Sequence, residues 1–165
     1  KADGLTKLLK TIATHGEQAI LFVQFTHQIE DMIKILDRAE ISNHRPTADK
    51  EGPFKSFTKN KKKTVLILNS NDESAAGANL TNANHVIFFS PLLKRTQYEY
   101  EAQMAQAIGR VRRPGQDKPV RVYRFVALDT IDVDILEHRE HRTKTMSQYH
   151  DPECEKTVPG TDFEA

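Results

Sequence analysis

"QAILFVQF", residues 18 to 25, is a nearly unbroken apolar run closed by a polar residue and an aromatic one. A strand half-exposed to water would alternate apolar and polar residues. A continuous run of this length is the pattern of a strand covered on both faces, as in a parallel sheet. Three further stretches carry the same signature: "TVLILNS" (64–70), "HVIFFS" (85–90) and "VRVYRFVA" (120–127). A weaker strand is expected near Ile41 to Arg45.

The segments between these runs read as helices. After the first run, Thr26 is placed to cap a helix, and Ile29, Met32, Ile33 and Leu36 recur at the spacing of one helical face. A long helix is expected from Thr96 to Arg113, ended by Pro114 and Gly115. Thr130 is placed to cap a last helix reaching about Lys144, with Ile131, Ile135 and Leu136 facing inward. Strands alternating with helices imply a doubly wound α/β domain with a mainly parallel sheet and helices on both faces.

The chain has 165 residues, enough for one ordinary domain and too few for two. The expected division is a domain over 1–145 and a tail over 146–165. That tail has two prolines and few large apolar groups, and is expected to be poorly ordered or docked on a missing domain. Apolar residues make up 38%, and no stretch approaches the roughly 18 a membrane helix needs. Cys154 is the single cysteine and the first residues lack the apolar core of a signal peptide, so a soluble, intracellular protein is expected. A first residue other than methionine suggests a fragment. Lysine and arginine total 24 against 23 acidic residues, so any polyanion site must be local. The densest basic run, "KNKKK" (59–63), reads as a solvated loop.

Two segments carry chemistry. The first is "QAIGRVRRPGQ" (106–116), with three arginines in four positions. On a wheel of about 100° per residue, Met104, Ile108 and Val111 form an inward stripe, and Gln106, Arg110 and Arg113 stack on the opposite face. Such arginines either satisfy the orphan carbonyls of a helix end or present guanidinium forks to phosphate. The second segment follows a buried strand and runs through small and polar residues, Ser74, Ala75, Ala76, Gly77 and Asn79, before the next strand. Ligands of open α/β sheets bind beyond the carboxyl ends of strands, where small residues let backbone amides approach phosphates or sugars; a plain turn-rich connection is the alternative. His138 and His141, three apart beside Glu137 and Glu140, read as solvated helix surface, and no metal site is expected.

Taken together, these motifs resemble the C-terminal RecA-like lobe of a superfamily-two helicase of the SWI/SNF type, and a divergent branch among fungal remodeller-like proteins. "ILFVQF" resembles motif IV, "NDESAAGANLTNANHVIFF" motif V and "QAIGRVRRPGQ" motif VI. "DGLTKLLKTI" and "TIDVDILEHRE" resemble the flanking helices. The chain departs from the branch at Ser74 and Ala75, where two glycines are usual, and at Arg112, where histidine is usual.

The resemblance implies a three-layer RecA-like fold and specific roles. Arg113 would be the arginine finger, Arg110 its partner at the γ-phosphate, and Gln106 the residue that orients them. Gly77 and Asn79 would lie near the nucleotide, with Asn79 bonding a ribose hydroxyl. Gln24, Phe25 and Asn71 would contact a nucleic-acid backbone. No G-x-x-x-x-G-K-[ST] loop and no D-E-x-[HD] strand end occurs. ATP with Mg²⁺ would therefore be held mainly by an N-terminal RecA-like lobe of the same full-length chain, and residues 1–165 alone would be inactive. The implied partners are double-stranded DNA and nucleosomes, and the implied location is the nucleus. An RNA helicase lobe and a non-catalytic nucleic-acid or protein docking domain are the alternatives.

Overall fold

A computed structural model describes residues 1–44, 52–62, 64–71 and 77–147. The expected tail lies almost wholly outside them, as do Ser74, Ala75 and Ala76. The elements run α1 (Ala2–Thr14), β1 (Ala19–Val23), α2 (Thr26–Arg38), β2 (Asn43–His44), α3 (Gly52–Lys59), β3 (Val65–Asn69), β4 (His85–Phe88), α4 (Gln97–Gly109), β5 (Arg121–Arg124) and α5 (Ile131–Ser147). All strand pairs are parallel, in the order β2-β3-β1-β4-β5.

The opening stretch supplies the central strand. In β1 every residue is buried, because β3 and β4 flank it and helices cover both faces. Successive side chains in a strand point to opposite faces, so Ile20 and Phe22 enter one core while Ala19, Leu21 and Val23 enter the other. Phe57 of α3 and Tyr100, Met104 and Ala107 of α4 pack in the first core. Leu5, Leu9 and Ile12 of α1 and Met32, Ile33 and Leu36 of α2 pack in the second. The result is a three-layer RecA-like α/β domain. Each fully buried aliphatic or aromatic side chain here contributes about 1.5–3 kcal/mol before chain entropy is subtracted.

Several local expectations change. Thr26 does not cap α2. The Gln28 side chain reaches back and accepts from the backbone N–H groups of Gln24 (3.1 Å) and Phe25 (3.2 Å), leaving the Thr26 hydroxyl to accept from Asn69 Nδ2 at 3.3 Å. β5 is an edge strand with Val122 38% exposed, because nothing pairs with its outer side among the described residues. Ile131 is 68% exposed, whereas Ile135 and Leu136 are half-buried. α3 has no counterpart among the expected elements. The cap expected at Thr130 does form, its Oγ1 accepting from Asp132 N at 3.2 Å, and Thr96 also caps α4, its Oγ1 accepting from Glu99 N at 3.1 Å, a cap not among those expected.

At the amino edge of the sheet a polar cluster closes the fold. Glu17 accepts hydrogen bonds from His85 Nε2 at 2.7 Å, Asn84 Nδ2 at 3.0 Å and Lys118 Nζ at 3.3 Å. These donors, His85 first, outweigh desolvation and hold its carboxyl at about 2. Burial pushes the His85 imidazole below its ordinary value, the neutral state in which Nε2 donates to Glu17 and Nδ1 accepts from the Tyr123 hydroxyl at 3.1 Å.

Candidate nucleotide and nucleic-acid site

The carboxyl ends of β1, β3 and β4 bring Gln24, Phe25 and Asn71 together. Asn71 Nδ2 donates to the Gln24 carbonyl at 2.9 Å, and its Oδ1 accepts from Lys94 Nζ at 2.9 Å. Asn71 is exposed and Phe25 is 45% exposed, its ring stacked on His27 at 5.6 Å between centroids. Gln24 is different. It is 6% exposed, its Nε2 donates to Ser90 Oγ at 3.0 Å, and its Oε1 accepts from Leu93 N at 2.7 Å. Gln24 therefore shapes the loop that leaves β4 instead of facing solvent. Lys94 and Gln103 adjoin these residues, and the motifs alone do not single them out. The "KR" pair just past a buried strand is an available signal for Lys94. Gln103 is a polar residue on the buried stripe of α4, where its Nε2 donates to the Ser70 carbonyl.

The arginines do not lie on one helical face. α4 stops at Gly109, four residues earlier than the expected boundary, and the cause is Pro114. The carbonyl of Arg110 would need the N–H of residue 114 to continue the helix, and proline has none. Leu80 N takes that carbonyl instead, at 3.0 Å. Beyond Gly109 the chain tightens into a turn, so the wheel no longer applies.

Within the turn each residue has a separate environment. Val111 is fully buried, as expected. Arg110 is 4% exposed with its guanidinium 5.6 Å from the centre of the Phe22 ring, a cation-π arrangement. Gln106 is exposed, in contrast to the buried Arg110. Arg112 is exposed. Arg113 is half-buried and bonds in two directions: Nε donates to the Gly109 carbonyl at 3.1 Å, and Nη1 donates to the Gly77 carbonyl at 3.0 Å. The first bond satisfies an orphan carbonyl of the helix end. The second reaches the other expected nucleotide segment.

That segment descends from Gly77 to Ala83 beside the arginine turn. Gly77 has φ +91, a left-handed conformation that side-chain-bearing residues rarely adopt. Asn79 is exposed, and its Oδ1 accepts from Thr81 N at 3.3 Å in a local turn. At the far end Gln116 Nε2 donates to the Ala83 carbonyl at 2.7 Å. Three contacts, at Gly77, Leu80 and Ala83, thus bind the limb 77–83 to the turn 110–116.

The model of the helicase conserved C-terminal domain matches residues 1–115. A DNA (cytosine-5-)-methyltransferase DMT5 of Cryptococcus neoformans is 36% identical over 160 residues, covering 92% of this chain and 6% of that protein. In Caenorhabditis elegans, the SWI/SNF-related matrix-associated actin-dependent regulator of chromatin subfamily A containing DEAD/H box 1 homolog is 29% identical over 145 residues, covering 82% of this chain and 14% of that protein. Among solved structures, the C-terminal part of the Fun30 ATPase domain matches with a TM-score of 0.68 and 26% identity, over 82% of this chain and 43% of the other. The chain thus spans a small part of the curated relatives it matches. With its all-parallel five-stranded sheet and its paired limb and arginine turn, the chain belongs to the helicase conserved C-terminal domain family, as a superfamily-two C-terminal lobe of the SWI/SNF type.

Proposed function

We propose that this lobe is the second half of an ATP-dependent DNA translocase of the chromatin-remodelling type, and that Arg113 is its arginine finger. The observation that carries the reading is the Arg113 to Gly77 hydrogen bond, which ties the arginine turn to the limb that resembles motif V. Two guanidiniums and a polar, glycine-containing limb are a donor set suited to phosphate oxygens and a ribose. Arg113 reaches a triphosphate by exchanging the Gly77 carbonyl for a phosphate oxygen. Arg110 must first leave the Phe22 ring. Each fork then stabilises charge that gathers on the transferring phosphoryl group without losing a proton itself. Asn79, exposed on the same limb, bonds the ribose in this reading, and Gln106, exposed on α4, meets the nucleotide held by the facing lobe.

In this reading ATP and Mg²⁺ are held mainly by an N-terminal RecA-like lobe, which supplies the phosphate loop and the metal ligands. Phe25, Asn71 and Lys94 form the contact to a nucleic-acid backbone, with Gln24 positioning the loop that carries Lys94. Double-stranded DNA, nucleosomal DNA included, is the substrate, and the nucleus is the location that goes with it. The missing phosphate loop gives a direct test. Purified residues 1–165 should show no ATP turnover above an Arg113→Ala control, and hydrolysis should appear only when both lobes are present. Turnover by the parental chain alone, lost in the Arg113→Ala control, would refute the division of labour.

A further inference from the structure

Gln116 closes the arginine turn, and its amide bonds in three directions. Nε2 donates to the Ala83 carbonyl at 2.7 Å and to the Val111 carbonyl at 3.2 Å, while Oε1 accepts from Lys118 N at 3.1 Å. Its own backbone N–H donates to the Arg113 carbonyl at 3.0 Å across Pro114 and Gly115, the latter at φ +98. That order of residues is the signature of a tight turn with proline first and glycine in the left-handed position. Ala83 is buried and ends the limb from Gly77, while Val111 is buried between the two arginines. One side chain thus joins the foot of the limb to the middle of the arginine turn.

We infer that Gln116 is a positioning residue for Arg110 and Arg113, acting by holding their turn in register with the limb 77–83. This rests on the proposed role of those arginines. The chemistry of the amide fits that role, because its two N–H donors meet two carbonyls and its one oxygen meets a backbone N–H. Glutamate in its place keeps the acceptor for Lys118 but sets a carboxylate oxygen against the two carbonyls. Leucine of similar volume removes all three bonds. With the pin gone the arginines keep their charge, yet the turn shifts against the limb, and a misplacement of about 1 Å near reacting groups costs on the order of 10²-fold in rate.

The test uses a protein carrying both lobes, with Gln116→Glu, Gln116→Leu, Arg113→Lys and the double variant Gln116→Glu/Arg113→Lys. The expected result is a fall in kcat of about 10- to 10²-fold for both Gln116 variants, with KM for ATP within about twofold. Thermal melts should stay cooperative and within a few degrees of the parent. The double variant should lose less than the product of the two single losses, since part of the effect of Gln116 passes through Arg113. A near-parental kcat for Gln116→Glu overturns the inference. So do losses that multiply in the double variant, or a lost cooperative melt in both Gln116 variants, which would make the residue a prop of the fold. If Arg113→Lys itself hydrolyses ATP normally, the underlying assignment fails first. If Arg113→Lys is inactive and Gln116→Glu is active, only the positioning role fails.

Discussion

Replacing Arg113 by lysine in a protein with both lobes is expected to cut nucleic-acid-stimulated ATP hydrolysis by about 10³-fold or more, the scale of an arginine finger elsewhere. Lysine keeps the charge and loses the planar fork. In the resting lobe that fork spans the carbonyls of Gly109 and Gly77, two acceptors in different directions that one ammonium on a flexible stem does not hold together. Arg110→Ala should be similarly severe, because it removes the second guanidinium and uncovers Phe22. Arg112→His should be tolerated, since Arg112 is exposed. Steady-state ATPase beside a thermal melt of each variant checks all three. An Arg113→Lys rate near the parental one would reduce Arg113 to a cap on the last carbonyls of α4.

The second large effect concerns the floor on which the arginine turn rests. Phe22 is 2% exposed in the central strand, its ring stacked on Phe88 of β4 at 5.4 Å between centroids and overlain by Arg110. Phe22→Ala removes a ring from the middle of the sheet, where strands β1, β3 and β4 are locked in register and cannot collapse onto the space. The expected cost is about 3–5 kcal/mol of stability. That is a large part of the roughly 5–15 kcal/mol a whole domain possesses. Denaturant unfolding should show a lower midpoint with an unchanged slope. Phe22→Leu, which keeps most of the volume, should cost under about 2 kcal/mol. A Phe22→Ala midpoint equal to the parent's would mean that the core is not organised around β1.

The parts of the fold visible in the sequence are those governed by one simple pattern. β1, β3 and β4 are covered on both faces, so each carries an unbroken apolar run, Ala19 to Val23, Val65 to Leu68 and Val86 to Phe88. Thr130 precedes helical periodicity, and it caps as expected. β5 shares the apolar look of a central strand, but its position at the edge is a property of the strand order, which no local pattern encodes. α3 spans eight residues and offers only Phe54 and Phe57 as an inward pair, too short a period to read. The site divides the same way. The three motifs and their order are legible, and the structure joins the motif V limb to the arginine turn at Gly77. The single helical face expected for Gln106, Arg110 and Arg113 is cut short, because α4 ends at Gly109, where Pro114 deprives Arg110 of its helical partner. Gln24 looks like a surface contact because it is polar at a strand end. Its burial follows from Ser90 and Leu93, which are distant in sequence.

The assignment as the second lobe of a DNA motor is tested most directly by the ATPase rate of a protein with both lobes, measured without nucleic acid, with duplex DNA and with duplex RNA. Slow hydrolysis without nucleic acid is expected, with strong stimulation by duplex DNA of any sequence that weakens as salt rises and little response to duplex RNA. Hydrolysis indifferent to DNA, or stimulated by RNA alone, would contradict the assignment.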